Sequence, residues 1–255
     1  MQNKVFKFFL TVSFIILSPT FLSGATSNIE LMKQKWPFNG IFGRFDESSL
    51  QRGFQVYREV CAACHGIRHI SFRDLKGIGY SSDEIKVIAA EYQLVDGPDD
   101  EGEMFERDAR PSDKFVGPYE NDKIARLANN GAYPPDLSLI VKARADGANY
   151  LYSLLNGYKE FPENFEASEG MYYNEFYPGN QIAMPSPLMD DIVEYSDGTE
   201  ASQSQIAKDV TSFLAWTAEP ELEERKSLGV KTLFFLILIT IMLLGVKRKI
   251  WKDVE

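Results

Sequence analysis

The sequence predicts a mainly α-helical protein that has long loops between its helices and one membrane-spanning helix near its C-terminus. Three observations predict this fold class. Apolar residues recur with helical spacing in several segments, no segment shows the clear alternation of a β-strand, and one long apolar run lies close to the C-terminus. Residues 96–118 and 157–187 are rich in glycine, proline and acidic residues, so we expect both segments to be loops inserted into a helical core.

The first 25 residues have the composition of a secretory signal peptide. Lys4 and Lys7 precede an apolar stretch at 8–22, and small residues follow it up to Ala25. Cleavage near Ala25 would deliver the remaining chain to an oxidising compartment outside the cytoplasm. An uncleaved anchor is the alternative interpretation of this segment.

A helix is predicted immediately before residue 61. Its start is indicated by Ser48 and Gln51, which have the spacing of a capping pattern. One face of the predicted helix consists of Leu50, Phe54, Tyr57 and Cys61. We therefore expect this helix to present the cysteines that follow.

Cys61, Cys64 and His65 form the pattern CxxCH, and the chain contains no other cysteine. This pattern is the signature of c-type haem attachment. Two thiols at this spacing can reach the two vinyl groups of one porphyrin, and the adjacent imidazole can bind the iron. A thioredoxin-like redox pair would need a βαβ context, and a zinc site would need more ligands. The motif predicts one covalently attached haem c and a function in electron transfer.

Four further helices are predicted after the haem motif, over residues 82–92, 121–130, 148–155 and 202–217. The last of them begins at Ser202, with Gln205 as its start signal, and Glu219-Pro220 indicates where it stops.

Residues 228–246 are predicted to cross a membrane once. The segment is predominantly apolar, and 19 helical residues extend about 28 Å, close to the hydrocarbon thickness of a bilayer. Basic residues follow it directly, from Lys247 to Lys252, which predicts that the tail 247–255 is cytoplasmic. Residues 26–227 would then form a periplasmic haem domain on a bacterial inner membrane. A buried core helix is the alternative for the apolar segment.

The chain is strongly acidic. Its formal net charge is -10, and removal of Lys4 and Lys7 with the signal peptide would make it -12. This charge argues against nucleic acid and favours a soluble basic partner. The densest acidic run, from Asp96 to Glu103, is interpreted either as a solvated loop or as a docking site.

An iron atom bound by His65 needs a sixth ligand unless that position is open. His69 is too close in sequence to reach the opposite face of the porphyrin, so methionine is the natural candidate. Met184 precedes Pro185 in a segment that proline stiffens. From the residues alone, Met104, Met171 and Met189 remain rivals.

Several motifs in one order give the chain a resemblance to a known family. They are Trp36-Pro37-Phe38, Arg52 to Tyr57, the CxxCH motif, Asn129 to Ser138, Leu154 to Tyr158, Tyr177 to Asn180, Ile182 to Met184 and Ala218 to Pro220, followed by the tail helix. The sequence resembles the cytochrome c1 family, the membrane-anchored haem subunits of the cytochrome bc1 (quinol:cytochrome c reductase) complex.

The resemblance implies a cytochrome c fold enlarged by loops. It implies that His65 and Met184 are the axial iron ligands and that Cys61 and Cys64 form the thioether bonds. The residues implied to lie near the haem are Asn129, Arg144 and Tyr150, close to the propionates, and Pro135, in a stiff segment that lines the haem.

The partners implied by the resemblance are cytochrome b, a Rieske iron–sulfur protein as electron donor and a c-type cytochrome as acceptor. The chain would then be a one-electron carrier with no catalytic residues of its own, active as an enzyme only within the respiratory complex. An independent membrane-anchored monohaem cytochrome is the alternative function. A haem-based gas sensor is a third, and it would need an open or easily displaced sixth ligand position.

Overall fold

The structure is a computed structural model that describes residues 29–252. The predicted signal peptide, residues 1–25, lies outside the described residues. Within the described range the helices are α1 (Glu47–Glu59), α2 (Ser82–Ala90), α3 (Asp122–Ala128), α4 (Gly147–Asn156), α5 (Gln203–Ala218) and α6 (Leu222–Ile250), and 3₁₀ turns cover Cys61–Ala63 and Phe72–Ile78. The predicted mainly α-helical class with a C-terminal apolar helix is confirmed.

The centre of the globular part is the crossing of α1 and α5, the two elements with the most extensive mutual contact. Phe213 of α5 lies 5.4 Å from Phe54 and 5.8 Å from Tyr57 of α1, measured between ring centroids. All three side chains are almost fully buried. Their burial is the main stabilising term for this crossing because aromatic side chains remove large apolar areas from water.

Gly53 allows α1 and α5 to approach closely. A Cβ atom at this position would lie 2.1 Å from the backbone oxygen of Asp209 and 2.7 Å from Cβ of Phe213. Any larger residue would push the helices apart, so the contact depends on this glycine.

A buried polar network joins the same two helices. The Asp209 side chain has no exposed surface and accepts hydrogen bonds from Ser49 Oγ at 2.6 Å and from Arg52 Nε at 2.8 Å. Gln205 Nε2 donates to it at 2.9 Å, and Arg52 also pairs with Asp197. These donors satisfy both oxygens of the buried carboxylate, which offsets the cost of removing it from water.

The observed elements differ from the sequence-based expectations in three places. Helix α1 begins at Glu47 with Asp46 as its N-cap residue, so the predicted cap at Ser48 is wrong. The helix ends at Glu59, Cys61 begins the 3₁₀ turn beyond it, and Cys64 is the C-cap residue of that turn. The antiparallel pair of β1 (Gln93–Asp96) with β2 (Phe105–Asp108) begins three residues before the predicted loop 96–118 and ends within it, and the pair of β3 (Tyr172–Tyr173) with β4 (Gln181–Ile182) lies inside the predicted loop 157–187. Pairs of two to four residues are too short to produce a clear alternation in the sequence.

Helix α6 is the one described helix that is long and apolar enough to cross a membrane. It begins at Leu222, six residues before the predicted span, and its residues from 231 to 250 are all exposed. Acidic residues lie in its first turn and basic residues in its last turn, an arrangement that complements the helix dipole. An exposed apolar surface of this length requires a non-aqueous environment, so the alternative of a buried core helix is not supported.

Candidate functional site

The CxxCH motif lies where α1 ends. The backbone N–H groups of Cys64 and His65 both donate to the carbonyl of Cys61, at 3.1 and 2.9 Å. This tight turn brings the two cysteines and His65 together. Burial, with a smaller contribution from nearby Cys64, raises the pKa of the Cys61 thiol to about 12. A thioredoxin-like redox pair needs a lowered thiol pKa, so this environment does not suit that alternative.

The His65 ring is oriented by a backbone carbonyl from a distant segment. Its Nδ1 lies 2.7 Å from the carbonyl oxygen of Pro135. Because a carbonyl only accepts hydrogen bonds, Nδ1 carries the proton and Nε2 presents its lone pair. Burial lowers the pKa of His65, although Pro135 and Asp136 oppose this shift. A neutral imidazole with an available Nε2 is the form that binds a metal.

Asp136 holds the Pro135 segment against the haem motif. Its carboxylate accepts from the backbone N–H and Nε of Arg68, at 3.0 and 3.2 Å, and from the N–H of Ser138 at 3.0 Å. Partial burial disfavours the ionised form, but these hydrogen bonds outweigh it and keep the pKa of Asp136 below its ordinary value. Asp136 thereby positions the Pro135 carbonyl that orients His65.

Met184 follows strand β4 and is half-buried. Its backbone carbonyl accepts a hydrogen bond from the Tyr158 hydroxyl at 3.1 Å. The rival methionines are more open to solvent: Met104 is 60% exposed, Met189 61% and Met171 37%. Of the four candidates, Met184 is the one that the described structure shelters most.

Arg144, Tyr150 and Tyr158 lie near one another. Burial raises the pKa of Tyr150, and the neighbouring Arg144 guanidinium opposes that shift. Burial also raises the pKa of Tyr158, with a smaller contribution from Tyr150. Through the hydrogen bond from Tyr158, this group extends to Met184. Arg144 itself is exposed and donates to the carbonyl of Ala143.

Asn129 caps the C-terminal end of α3. Its side-chain nitrogen donates to the Tyr119 hydroxyl at 3.0 Å and to the carbonyl of Ala125 at 2.7 Å. Both amide protons are therefore used within the protein. The resemblance places Asn129 close to a haem propionate. To donate a hydrogen bond to that propionate, the Asn129 amide would have to give up one of these two partners.

The predicted site residues thus fall into three connected groups. The first joins Cys61, Cys64 and His65 to Pro135. The second places Arg144 and Tyr150 near Tyr158, which bonds to Met184, and the third contains Asn129. Over residues 29–252, no cluster of three or more His, Cys, Asp or Glu side chains is arranged to hold a metal ion.

Three positioning residues were not identified from the sequence as functional. Asp136 and Tyr158 act as described above, and the Tyr57 hydroxyl donates to the carbonyl of His65 at 3.2 Å. All three lie inside the motifs that carry the family resemblance. Their roles depend on partners 8 to 68 residues away, which local sequence patterns do not reveal.

Comparisons with known proteins give consistent matches. A model of the Cytochrome C1 family matches residues 36–254. The chain is 49% identical over 243 residues to cytochrome c1 of Rhodospirillum rubrum, covering 89% of each protein. It is 50% identical over 227 residues to "Cytochrome c1 1, heme protein, mitochondrial" of Arabidopsis thaliana, covering 89% of this chain and 74% of the relative. It is 46% identical over 251 residues to "Cytochrome b-c1 complex catalytic subunit, mitochondrial" of Candida albicans, covering 96% and 87%.

Proposed function

This chain belongs to the cytochrome c1 family, and from that membership we propose that it is the haem c subunit of a respiratory bc1 complex. The proposed role is one-electron transfer from a Rieske iron–sulfur protein to a c-type cytochrome. The observation that carries this proposal is the His65 ring, which the Pro135 carbonyl orients next to two unpaired cysteines.

The residues fit a covalently bound haem. Cys61 and Cys64 would form its thioether bonds, and His65 would bind the iron through Nε2 because its Nδ1 proton is engaged by Pro135. Met184 is the proposed sixth ligand. When bound, haem c supplies a one-electron ferric/ferrous couple whose potential a His/Met pair raises.

The surrounding residues would position and shelter this group. Pro135 and Asp136 hold the imidazole in one tautomer, and Tyr158 restrains the backbone of Met184. Arg144, Tyr150 and Asn129 are proposed to lie near the propionates, where a guanidinium and polar donors would offset buried negative charge.

We propose the following domain organisation on the basis of the sequence patterns and α6. Residues 1–25 are a cleaved signal peptide, 26–227 a periplasmic haem domain, 228–246 the membrane anchor and 247–255 a cytoplasmic tail. The exposed apolar surface of α6 and the basic residues in its last turn support this orientation in a bacterial inner membrane.

The proposed complex includes cytochrome b, and its presence can be tested by purification. A tagged form of the full chain is extracted from membranes with a mild detergent, and reduced-minus-oxidised spectra and quinol-dependent cytochrome c reduction are measured. We expect b-type haem to co-purify with inhibitor-sensitive activity. A c-type spectrum without b haem would favour an independent anchored carrier instead.

The sixth ligand is tested by Met184→Leu, with Met189→Leu as the matched control on an exposed methionine of the same segment. We expect Met184→Leu to abolish the sulfur-to-iron charge-transfer absorption and to let the reduced protein bind carbon monoxide, whereas the control retains the parent spectrum. Carbon monoxide binding by the parent protein would instead support a gas sensor.

The acidic segment between β1 and β2 is proposed to dock the basic cytochrome, and the structure separates its acids into two classes. Asp96 pairs with Arg107, and Asp99 Oδ1 accepts from the N–H groups of Glu101 and Glu103 at 2.9 Å, so both maintain the loop itself. The side chains of Asp100, Glu101 and Glu103 are exposed and better suited to a partner.

The test neutralises that second class with the triple variant Asp100→Asn, Glu101→Gln and Glu103→Gln. We expect a lower association rate with the basic cytochrome and a flatter dependence of that rate on salt. Neutralisation of Glu160, Glu163 and Glu169 in the other long loop serves as a control of equal charge change. If the two triple variants lowered the association rate equally, the net charge of the protein would explain the effect, and the assignment of the segment between β1 and β2 as the docking site would be wrong.

A further inference from the structure

We propose that the turn formed by residues 39–43 inserts into the outer-leaflet interface of the membrane beside α6, with Ile41 and Phe42 as its inserted side chains. The inference rests on the membrane anchor of the proposed function. It adds a second membrane contact, made by the globular domain itself.

The apolar side chains at the tip of this turn are exposed, whereas the apolar side chains at its base are buried. Ile41 is 69% exposed and Phe42 is 82% exposed, whereas Trp36 and Phe38 are almost fully buried. Phe38 packs against Phe45 with ring centroids 5.0 Å apart. The base is therefore fixed in the core while the tip projects from it.

The turn is attached to the first two turns of α6. Lys226 Nζ donates to the carbonyls of Phe38 and Gly43, at 2.6 and 3.2 Å. The backbone N–H of Phe45 donates to Glu223 Oε1 at 3.0 Å. Both flanks of the turn thus bind the helix, which sets the depth of the turn relative to the membrane.

That depth corresponds to the membrane surface. The proposed span begins at Leu228, two residues after Lys226 in the helix, which corresponds to a rise of about 3 Å. The Lys226 hydrogen bonds therefore attach the two flanks of the tip to α6 within one helical turn of the start of the apolar segment, near the level of the lipid headgroups. Arg44 adjoins the tip and is 81% exposed, and its Nε lies 3.9 Å from Glu223.

Two exposed apolar side chains next to a basic side chain, attached to a membrane-spanning helix, favour the interface of a bilayer. Apolar and aromatic side chains bury their surface at the boundary between headgroups and acyl chains, and a neighbouring basic side chain can bind anionic headgroups. Exposed apolar residues continuous with a membrane-spanning helix extend an apolar surface that the bilayer already covers. A protein partner on the same turn would leave it exposed to water when the chain is alone in lipid.

The test measures where residue 42 lies in vesicles that contain no other protein. Holoprotein variants Phe42→Cys, Leu236→Cys and Val87→Cys are labelled with a thiol-reactive fluorophore and reconstituted in vesicles of phosphatidylcholine and phosphatidylglycerol. Leu236 is in the middle of the proposed span, and Val87 is 66% exposed on α2. The parent protein measures background labelling at Cys61 and Cys64. Quenching by a lipid-attached group is compared with quenching by a water-soluble ion.

We expect the labels at residues 42 and 236 to be quenched several-fold more by the lipid-attached group than the label at residue 87. A lipid-quenched label at 236 with a water-quenched label at 42 would overturn this inference and leave the anchor intact. If the label at 42 is shielded from the ion only in native membranes that contain the whole complex, a protein covers the turn and the inference is wrong. A water-quenched label at 236 would overturn both the anchor and the inference.

Discussion

The two sides of the proposed iron site are built differently. His65 lies one 3₁₀ turn after α1, and α1 packs across α5 through buried aromatic rings and the Asp209 network. The carbonyl of the distant residue Pro135 orients the His65 ring. Met184 lies in a long segment between α4 and α5, and the Tyr158 hydroxyl ties its backbone to the start of the same segment, next to α4. The histidine side is therefore held by the core, and the methionine side by local hydrogen bonds and prolines. In the proposed site the core would fix the haem, and the loop would set the identity and stability of the sixth ligand.

The largest effect is expected from breaking the support of the histidine side. Asp209→Ala would leave Arg52 and Ser49 without their buried partner, so the free energy of unfolding should fall by about 3–5 kcal/mol. Unfolding of the full chain in detergent micelles, followed by near-ultraviolet circular dichroism in urea, measures this change.

Asp197→Asn is the matched control because it alters the exposed second partner of the same arginine. Its free energy of unfolding should remain close to that of the parent protein. If the two variants were equally stable, the Asp209 network would not be what holds α1 against α5.

A smaller loss is expected from Asp136→Asn, which removes the charge that ties the Pro135 segment to Arg68. Loss of hydrogen bonds to a charged group should cost about 1.5–3 kcal/mol. Because folding lowers the pKa of Asp136, its contribution is complete above the ordinary aspartate pKa of about 3.9 and is lost as the pH falls through the lower folded value.

The parent protein should therefore lose more stability than the Asp136→Asn variant when the pH is lowered from about 6 to about 3. Urea unfolding at a series of pH values measures the difference, with the exposed Asp100→Asn as the control. Parallel pH profiles for the parent and Asp136→Asn would contradict the assigned role of this carboxylate.

The smallest change in stability is expected on the methionine side. Tyr158→Phe removes one hydrogen bond to the Met184 carbonyl and should lower the free energy of unfolding by about 1 kcal/mol. The reduced protein should nevertheless bind carbon monoxide faster than the parent, because the segment that holds Met184 is less restrained. Stopped-flow absorption measures the rate, and Tyr172→Phe in the same segment is the control.

These variants together sharpen the contrast between the two sides. Asp209→Ala should have a large effect on the free energy of unfolding and a small effect on the rate of carbon monoxide binding. Tyr158→Phe should have a small effect on the free energy of unfolding and a large effect on that rate. If Tyr158→Phe destabilised the protein as much as Asp209→Ala, both sides would belong to one cooperative core.

Much of the fold was predictable because helical periodicity and capping signals are local. The helix predicted at 202–217 was found as Gln203–Ala218, with Ser202 accepting from the N–H of Gln205. The predicted span 228–246 lies within α6, whose additional first turns carry charged residues that a hydropathy criterion excludes. The short strand pairs were missed because their pairing partners are 8 to 15 residues away and their runs are too short to alternate.

By itself, the sequence determined the helical class, the CxxCH motif and the family, because each depends on residues close together in the chain or on several motifs in a recognisable order. Only the tertiary structure decided which nitrogen of His65 is available to bind a metal and which carboxylate positions the Pro135 carbonyl that orients His65. It also decided where the exposed turn 39–43 is attached to α6. Those properties arise from contacts such as His65 with Pro135 and Lys226 with Phe38, which join residues 70 and 188 positions apart. Contacts over such separations form only when the whole chain has packed, and local sequence patterns carry no record of them.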